Sequence, residues 1–137
     1  MSNSVKSVYE LVPQGVAYPP DFGSPTTLAT RAGNTIYVSG MIAWNEKRQI
    51  VGVADPYEQT LQALRNMALT LQSDGADLTD IVKITFYLTD ISHKSRVWEA
   101  RKAVFGDHRP ASTLVAVTRL VDPQALLEID AVAYVDR

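Results

Sequence analysis

The stretch IVKITFYL, residues 81–88, sets Val82, Ile84, Phe86 and Leu88 on one face and Lys83, Thr85 and Tyr87 on the other, the period of a half-buried strand. On both sides of it the period changes. Upstream, Asp55 and Pro56 supply an N-cap and a first helical residue. From there Tyr57, Leu61, Leu64, Ala68 and Leu71 recur at intervals of three and four, with Glu58, Gln59, Arg65 and Gln72 off that stripe and Gly75 as a stop. Downstream, Lys94 to Phe105 reads as a second helix with Val97, Ala100, Val104 and Phe105 inward, closed by Gly106.

Further out, the remaining segments read as strands. Leu28 to Arg31 and Thr35 to Ile42 flank Gly33-Asn34, a dipeptide suited to a hairpin turn. Asn45 to Arg48 is a turn signal before Ile50 and Val51, so the sheet is expected to continue there as a meander. Val5 to Val12 reads as a short strand, Pro13 to Pro25 as a surface loop, and Ser112 to Val117 and Leu126 to Val135 as two final strands separated by Asp122-Pro123. The resulting order is strands, helix, strand, helix, two strands. It predicts an α+β domain spanning residues 1–137, with both helices on one face of a single sheet. The opposite face would carry Leu126, Glu128, Asp130, Val132 and Tyr134, a mixture of apolar groups and carboxylates that suits a subunit interface.

Composition narrows the chemistry. With 137 residues, 46% of them apolar and 20% charged, the chain is of ordinary globular type. Its net charge of -2 supplies no field for nucleic acid or anionic membrane. The absence of cysteine excludes thiolate nucleophiles and thiolate metal sites. His93 and His108 lack the four-residue spacing of a helical zinc pair, and no glycine-rich phosphate loop follows a strand. No metal and no cofactor is expected. MSNSVKSVYELV lacks the apolar core of a signal peptide, and no apolar run approaches a membrane span, so a cytoplasmic protein without membrane contact is expected. Ser39, beside Gly40, reads as a hydroxyl satisfying a strand edge. Glu128, flanked by Leu127 and Ile129, reads either as a solvent-facing strand position or as a cleft carboxylate able to bind water. Trp98 reads as core, subunit contact or the cap of a cleft.

Three blocks in order, GNTIYVSG (33–40), GADLTDIVKITFYLTD (75–90) and RPASTLVAVTRL (109–120) with LEIDAVA (127–133), resemble the YjgF/RidA family of reactive intermediate deaminases. The likeness runs from about Leu28 to the C-terminus. It implies a chorismate-mutase-like fold, a homotrimer with the sheets in a central barrel, and a small-molecule cleft at each subunit interface. Typical members hydrolyse enamines and imines to a keto acid and ammonia without a cofactor. Carried over, the water-positioning glutamate corresponds to Glu128 and the glycine of the V-S-G segment to Gly40. The carboxylate-binding arginine of a P-A-R-S segment is replaced by Ser112. A tyrosine ahead of the hairpin is replaced by Thr26, and an asparagine of the second helix by Trp98. Tyr87 joins these as a ligand-contact candidate.

Ser112 brings no charge, so the archetypal 2-aminoacrylate reaction is not expected to be efficient. Arg31, Arg109 and Arg119 are the cations near the matching blocks, and Arg109, next to the Ser112 strand, is the best placed. Two functions follow: a hydrolase of some imine, enamine or related metabolite with Glu128 ordering water, or a non-catalytic module that captures a metabolite. A third, endoribonuclease activity, calls for basic character that the net charge does not provide.

Overall fold

The computed structural model describes residues 8–137. It contains strands β1 (Val8–Glu10), β2 (Ala29–Ala32), β3 (Thr35–Met41), β4 (Ile81–Leu88), β5 (Ala111–Ala116) and β6 (Leu127–Tyr134), with helices α1 (Pro56–Gln72) and α2 (Lys94–Phe105). The six strands form one mixed sheet in the order β1-β2-β3-β6-β4-β5, antiparallel throughout except for the β4/β5 pair. That parallel pair requires a crossover, which α2 provides. The first expected strand is present as Val8–Glu10, while Val5 to Ser7 lie outside the described residues.

The hairpin forms as expected: β2 and β3 pair from Ala29↔Val38 to Ala32↔Thr35, and Gly33 takes the positive φ of 59° that the two-residue turn demands. Asp55 caps α1, its Oδ1 accepting hydrogen bonds from the Tyr57 and Glu58 amides at 3.0 and 3.1 Å. Both helices pack on the same face of the sheet, where Leu64, Met67, Leu71, Val97 and Phe105 meet Ile36, Ile84, Phe86, Leu88, Leu127 and Ile129.

Four expectations fail locally. The meander does not continue beyond β3, since residues 42–51 make only the isolated bridge Trp44↔Ile50, and β3 pairs instead with β6. Side chains take over that backbone: Asn66 donates from Nδ2 to the Ile42 and Trp44 carbonyls at 3.2 and 2.9 Å, and Asn45 Oδ1 accepts from the Lys47 and Gln49 amides. Gln59 is fully buried rather than off the stripe, its Nε2 donating to the Gly52 and Gln124 carbonyls and its Oε1 accepting from the Leu126 amide. A satisfied amide can be buried without penalty, so polarity alone misplaced this face of α1. Val82 turns outward because β4 carries an extra residue there, the register passing from Ile81↔Ala133 to Lys83↔Val132, and Ile81 is buried in its place. Val104 lies on the outer side of α2, more than a third exposed.

The sheet face away from the helices is uncovered within the chain. Tyr37, Tyr134 and Val115 are 54%, 48% and 38% exposed there. Val132, Lys83, Thr85, Tyr87, Glu128 and Asp130 lie half-buried beside them.

Candidate functional site

A bulge in β3 builds the first cleft. Between the pairs Val38↔Ala131 and Met41↔Ile129, two residues of β3, Ser39 and Gly40, stand opposite one residue of β6. The Glu128 side chain lies directly against Gly40: a Cβ placed on Gly40 would come within 2.0 Å of Glu128 Oε2 and 2.6 Å of its Cδ. Only glycine permits this approach. The carboxyl is half-buried and takes part in no ion pair among the described residues. Burial, and secondarily the neighbouring Asp130, raise its pKa above the ordinary carboxylate value. Thr26, Leu28, Trp44 and Arg48 complete a cleft of about 410 Å³ with Gly40 and Glu128.

Arg48 was not read from the sequence. Its guanidinium sits 4.5 Å from the Trp44 ring centroid and 4.7 Å from that of Phe22. Its Nε is buried without a partner, and its backbone has a φ of 58°, uncommon for a residue with a side chain. Ser39 behaves as expected of a strand-edge hydroxyl, donating to the Thr27 carbonyl at 2.7 Å. Thr26 shares a 2.8 Å hydrogen bond with the Ser24 hydroxyl.

A second and larger cleft, about 770 Å³, opens beside β5 and α2. Ser112 pairs in register with Ile84 and Leu114 with Phe86, so both project to the helix side of the sheet. Arg101 of α2 reaches across to them, its Nη1 donating to Ser112 Oγ at 2.7 Å. Its guanidinium carbon stands 4.9 Å from the Trp98 ring centroid, 5.2 Å from Phe86 and 5.9 Å from Phe105. Trp98 in turn meets Phe86 edge-on, with centroids 5.3 Å apart. Burial lowers the Arg101 pKa from its ordinary value.

The residues singled out in the sequence therefore do not converge within one chain. Thr26, Gly40 and Glu128 line the first cleft; Trp98, Arg109 and Ser112 line the second. Tyr87 lines neither, and its hydroxyl donates to Asp130 Oδ2 at 2.9 Å, which raises the phenol pKa. Arg31 is committed elsewhere, its Nη1 paired with Asp74 Oδ2 at 2.9 Å and its Nε donating to the Gly33 carbonyl. Arg119 is exposed and borders neither cleft, while Arg109 is exposed at the rim of the second. The cation closest to Ser112 is Arg101, which the sequence reading passed over. Its signal was present: Trp98, Arg101 and Phe105 follow helical spacing, which places an arginine on an aromatic face. His108 Nε2 is 2.9 Å from the Ile81 carbonyl oxygen, a structural contact across the start of β4.

The family described as Endoribonuclease L-PSP matches residues 24–135. A RutC family protein of Pyrococcus horikoshii is 34% identical over 110 residues, covering 80% of this chain and 86% of its own. The 3-aminoacrylate deaminase RutC of Acinetobacter baylyi is 34% identical over 125 residues, 91% of this chain and 96% of that protein. Among solved structures, Rv2704 of Mycobacterium tuberculosis, described as a member of the YjgF/YER057c/UK114 family, superposes with a TM-score of 0.79 at 35% identity, covering 94% of this chain and all of that one, 100%. The extent of the match, through both helices and five of the six strands, is that of a whole domain, and the chain belongs to the Endoribonuclease L-PSP family, with relatives among the RutC and YjgF proteins.

Proposed function

We propose that this protein is a cofactor-independent hydrolase of small imines or enamines, acting as a homotrimer in which the Glu128 cleft of one subunit meets the Ser112 cleft of the next. The observation that supports it most is the half-buried, unpaired Glu128 carboxyl against Gly40, its pKa raised by burial. A carboxylate made more basic in this way suits a water molecule that must lose a proton as it attacks. The exposed Tyr37, Tyr134 and Val115 side chains give the sheet face a reason to be covered by other copies of the chain. The relative named for 3-aminoacrylate deamination adds weight to the enamine class.

In this mechanism an enamine first takes a proton from solvent at carbon and becomes the iminium ion. Glu128 accepts a proton from water as the oxygen adds to the C=N carbon, giving a neutral carbinolamine. The same carboxylic acid then returns its proton to nitrogen. As the C–N bond breaks and ammonia leaves, the Glu128 carboxylate takes the hydroxyl proton and passes it to solvent, so one iminium ion and one water become one carbonyl, one ammonia and one proton. With Ser112 in place of a strand guanidinium, the substrate must be held by a different group of the cleft. A net charge of -2 also favours a small metabolite over RNA, the substrate class implied by the family's description.

The test generates imino acids and enamines in situ with an amino-acid oxidase or a dehydratase and traps the survivors with semicarbazide. The wild-type protein is expected to lower the trapped yield for at least one substrate other than 2-aminoacrylate, and Glu128→Gln to abolish that effect. A protein that binds such compounds yet never lowers the trapped yield is a binding module, and the hydrolase reading falls. Light scattering at micromolar concentration is expected to give three times the single-chain mass; a single-chain mass overturns the shared cleft.

A further inference from the structure

We infer that Arg101, reaching from α2 over Ser112, is the anchor that binds the carboxylate group of a small organic acid in the second cleft. The inference rests on that cleft being one half of the site proposed above, and it names the chemical group which that half recognises. It begins from an imbalance of charge. A guanidinium is permanently charged, and removing it from water is costly unless an anion accompanies it. The three ion pairs among the described residues join Arg31 to Asp74, Arg96 to Glu99 and Arg137 to Asp80, and none involves Arg101. The Trp98, Phe86 and Phe105 ring centroids lie 4.9, 5.2 and 5.9 Å from its guanidinium carbon, and the group lines the cleft. Partial burial alone lowers its pKa.

The geometry also selects the ligand. Of five guanidinium N–H groups, the Nη1 bond to Ser112 Oγ uses one. The remaining donors form a planar fork matched to two carboxylate oxygens. Ser112 can orient that fork and contributes no competing charge. Around it the cleft is cationic, with Lys102 and Arg109 at the rim against the single carboxylate of Asp107. Trp98, Phe105 and Leu114 offer an apolar wall to the body of the ligand. One half-buried guanidinium, with a single planar fork beside such a wall, fits a carboxylate better than a phosphate, whose tetrahedral oxygens call for donors from several directions.

The experiment is calorimetric titration of the full-length protein with 2-oxobutanoate, the product type of the proposed reaction, against its neutral methyl ester and inorganic phosphate. The wild-type protein is expected to bind the acid at least tenfold more tightly than either. Arg101→Met should lose at least tenfold in acid affinity and no longer distinguish acid from ester, a readout that loss of packing alone would not move. Arg101→Lys, which keeps the charge and the stem, provides the test if the methionine variant fails to fold, and is expected to lose several-fold in affinity because the fork is gone. Absence of binding by the wild-type protein, phosphate bound as tightly as the acid, or acid-over-ester preference intact in the variants would overturn the assignment. The two proposals fail separately. Arg101-dependent binding without imine hydrolysis leaves the anchor standing and removes the hydrolase; hydrolysis unaffected by Arg101→Met does the reverse.

Discussion

The Glu128 cleft and the Arg101 cleft lie at different places in the strand order, the first at the middle of the sheet where β3 meets β6, the second beside the edge strand β5. One is shaped by backbone: a bulge and a glycine bring a carboxylate against the main chain. The other is shaped by side chains: an arginine rests among three rings and bonds to a serine. Each holds a half-buried charge without an ion-pair partner, and the two charges are of opposite sign. Neither charge is compensated by an ion pair among the described residues, so each costs the single chain stability.

The largest expected effect tests the first cleft. Glu128→Gln should lower kcat/KM for any imine hydrolysed by about 10²- to 10⁴-fold, the usual worth of a general base. In the wild-type protein the acid limb of the pH–rate profile should lie above the ordinary carboxylate range, because the folded-state pKa is raised. The same shift has a consequence for stability. Since folding raises the pKa, the folded chain holds the Glu128 proton more tightly than the unfolded chain, so this group's contribution falls as pH rises from the unfolded value through the folded one. Glu128→Gln is therefore expected to melt higher than the wild type at neutral pH, with the gap narrowing as pH falls into the carboxylate range. A gap that widens in acid would contradict the assignment.

Gly40→Ala comes next. Its Cβ would lie only 2.0 Å from Glu128 Oε2, and the carboxyl must rotate out of place. Activity should fall at least tenfold, for a stability cost of about 1–3 kcal/mol typical of overpacking; a crystal structure with Glu128 unmoved would break the prediction. Ser112→Arg, the substitution that the family pattern invites, is expected to fail as a gain of function. It would set a second guanidinium against Arg101, which now donates to Ser112 at 2.7 Å. Calorimetry should show a lower melting temperature and no added hydrolysis, whereas Ser112→Arg combined with Arg101→Ser should recover carboxylate binding from the strand. The smallest effect belongs to Arg109→Ala. Although nearest to Ser112 in sequence, Arg109 is exposed at the rim, and its loss should change stability by about 0.5 kcal/mol or less and 2-oxobutanoate affinity by less than threefold.

Much of the fold was legible because local rules and tertiary structure agree. The Asp55-Pro56 start, the Gly33-Asn34 turn, the period of residues 84–88 and the bounds of α2 all survive in the structure. Where the reading failed, the deciding interaction was distant in sequence. Gln59 is buried because Gly52, Gln124 and Leu126 satisfy its amide, and no periodicity within α1 records those partners. Val82 is displaced by a one-residue bulge against β6, which a strict period of two cannot anticipate.

The site divides in the same way. Sequence by itself determined which residue types are present: a glutamate between two apolar residues near the C-terminus, a glycine at the end of the hairpin's second strand, and a serine after Pro110-Ala111. Motif spacing favoured Arg109, three positions from Ser112, because nearness along the chain was the only distance available. Tertiary structure decided for Arg101, which lies 11 positions away in sequence yet 2.7 Å away in space. The reason is physical: the α2 crossover that joins two parallel strands lays the helix over β5, and the crossing turns an aromatic stripe and its arginine toward Ser112.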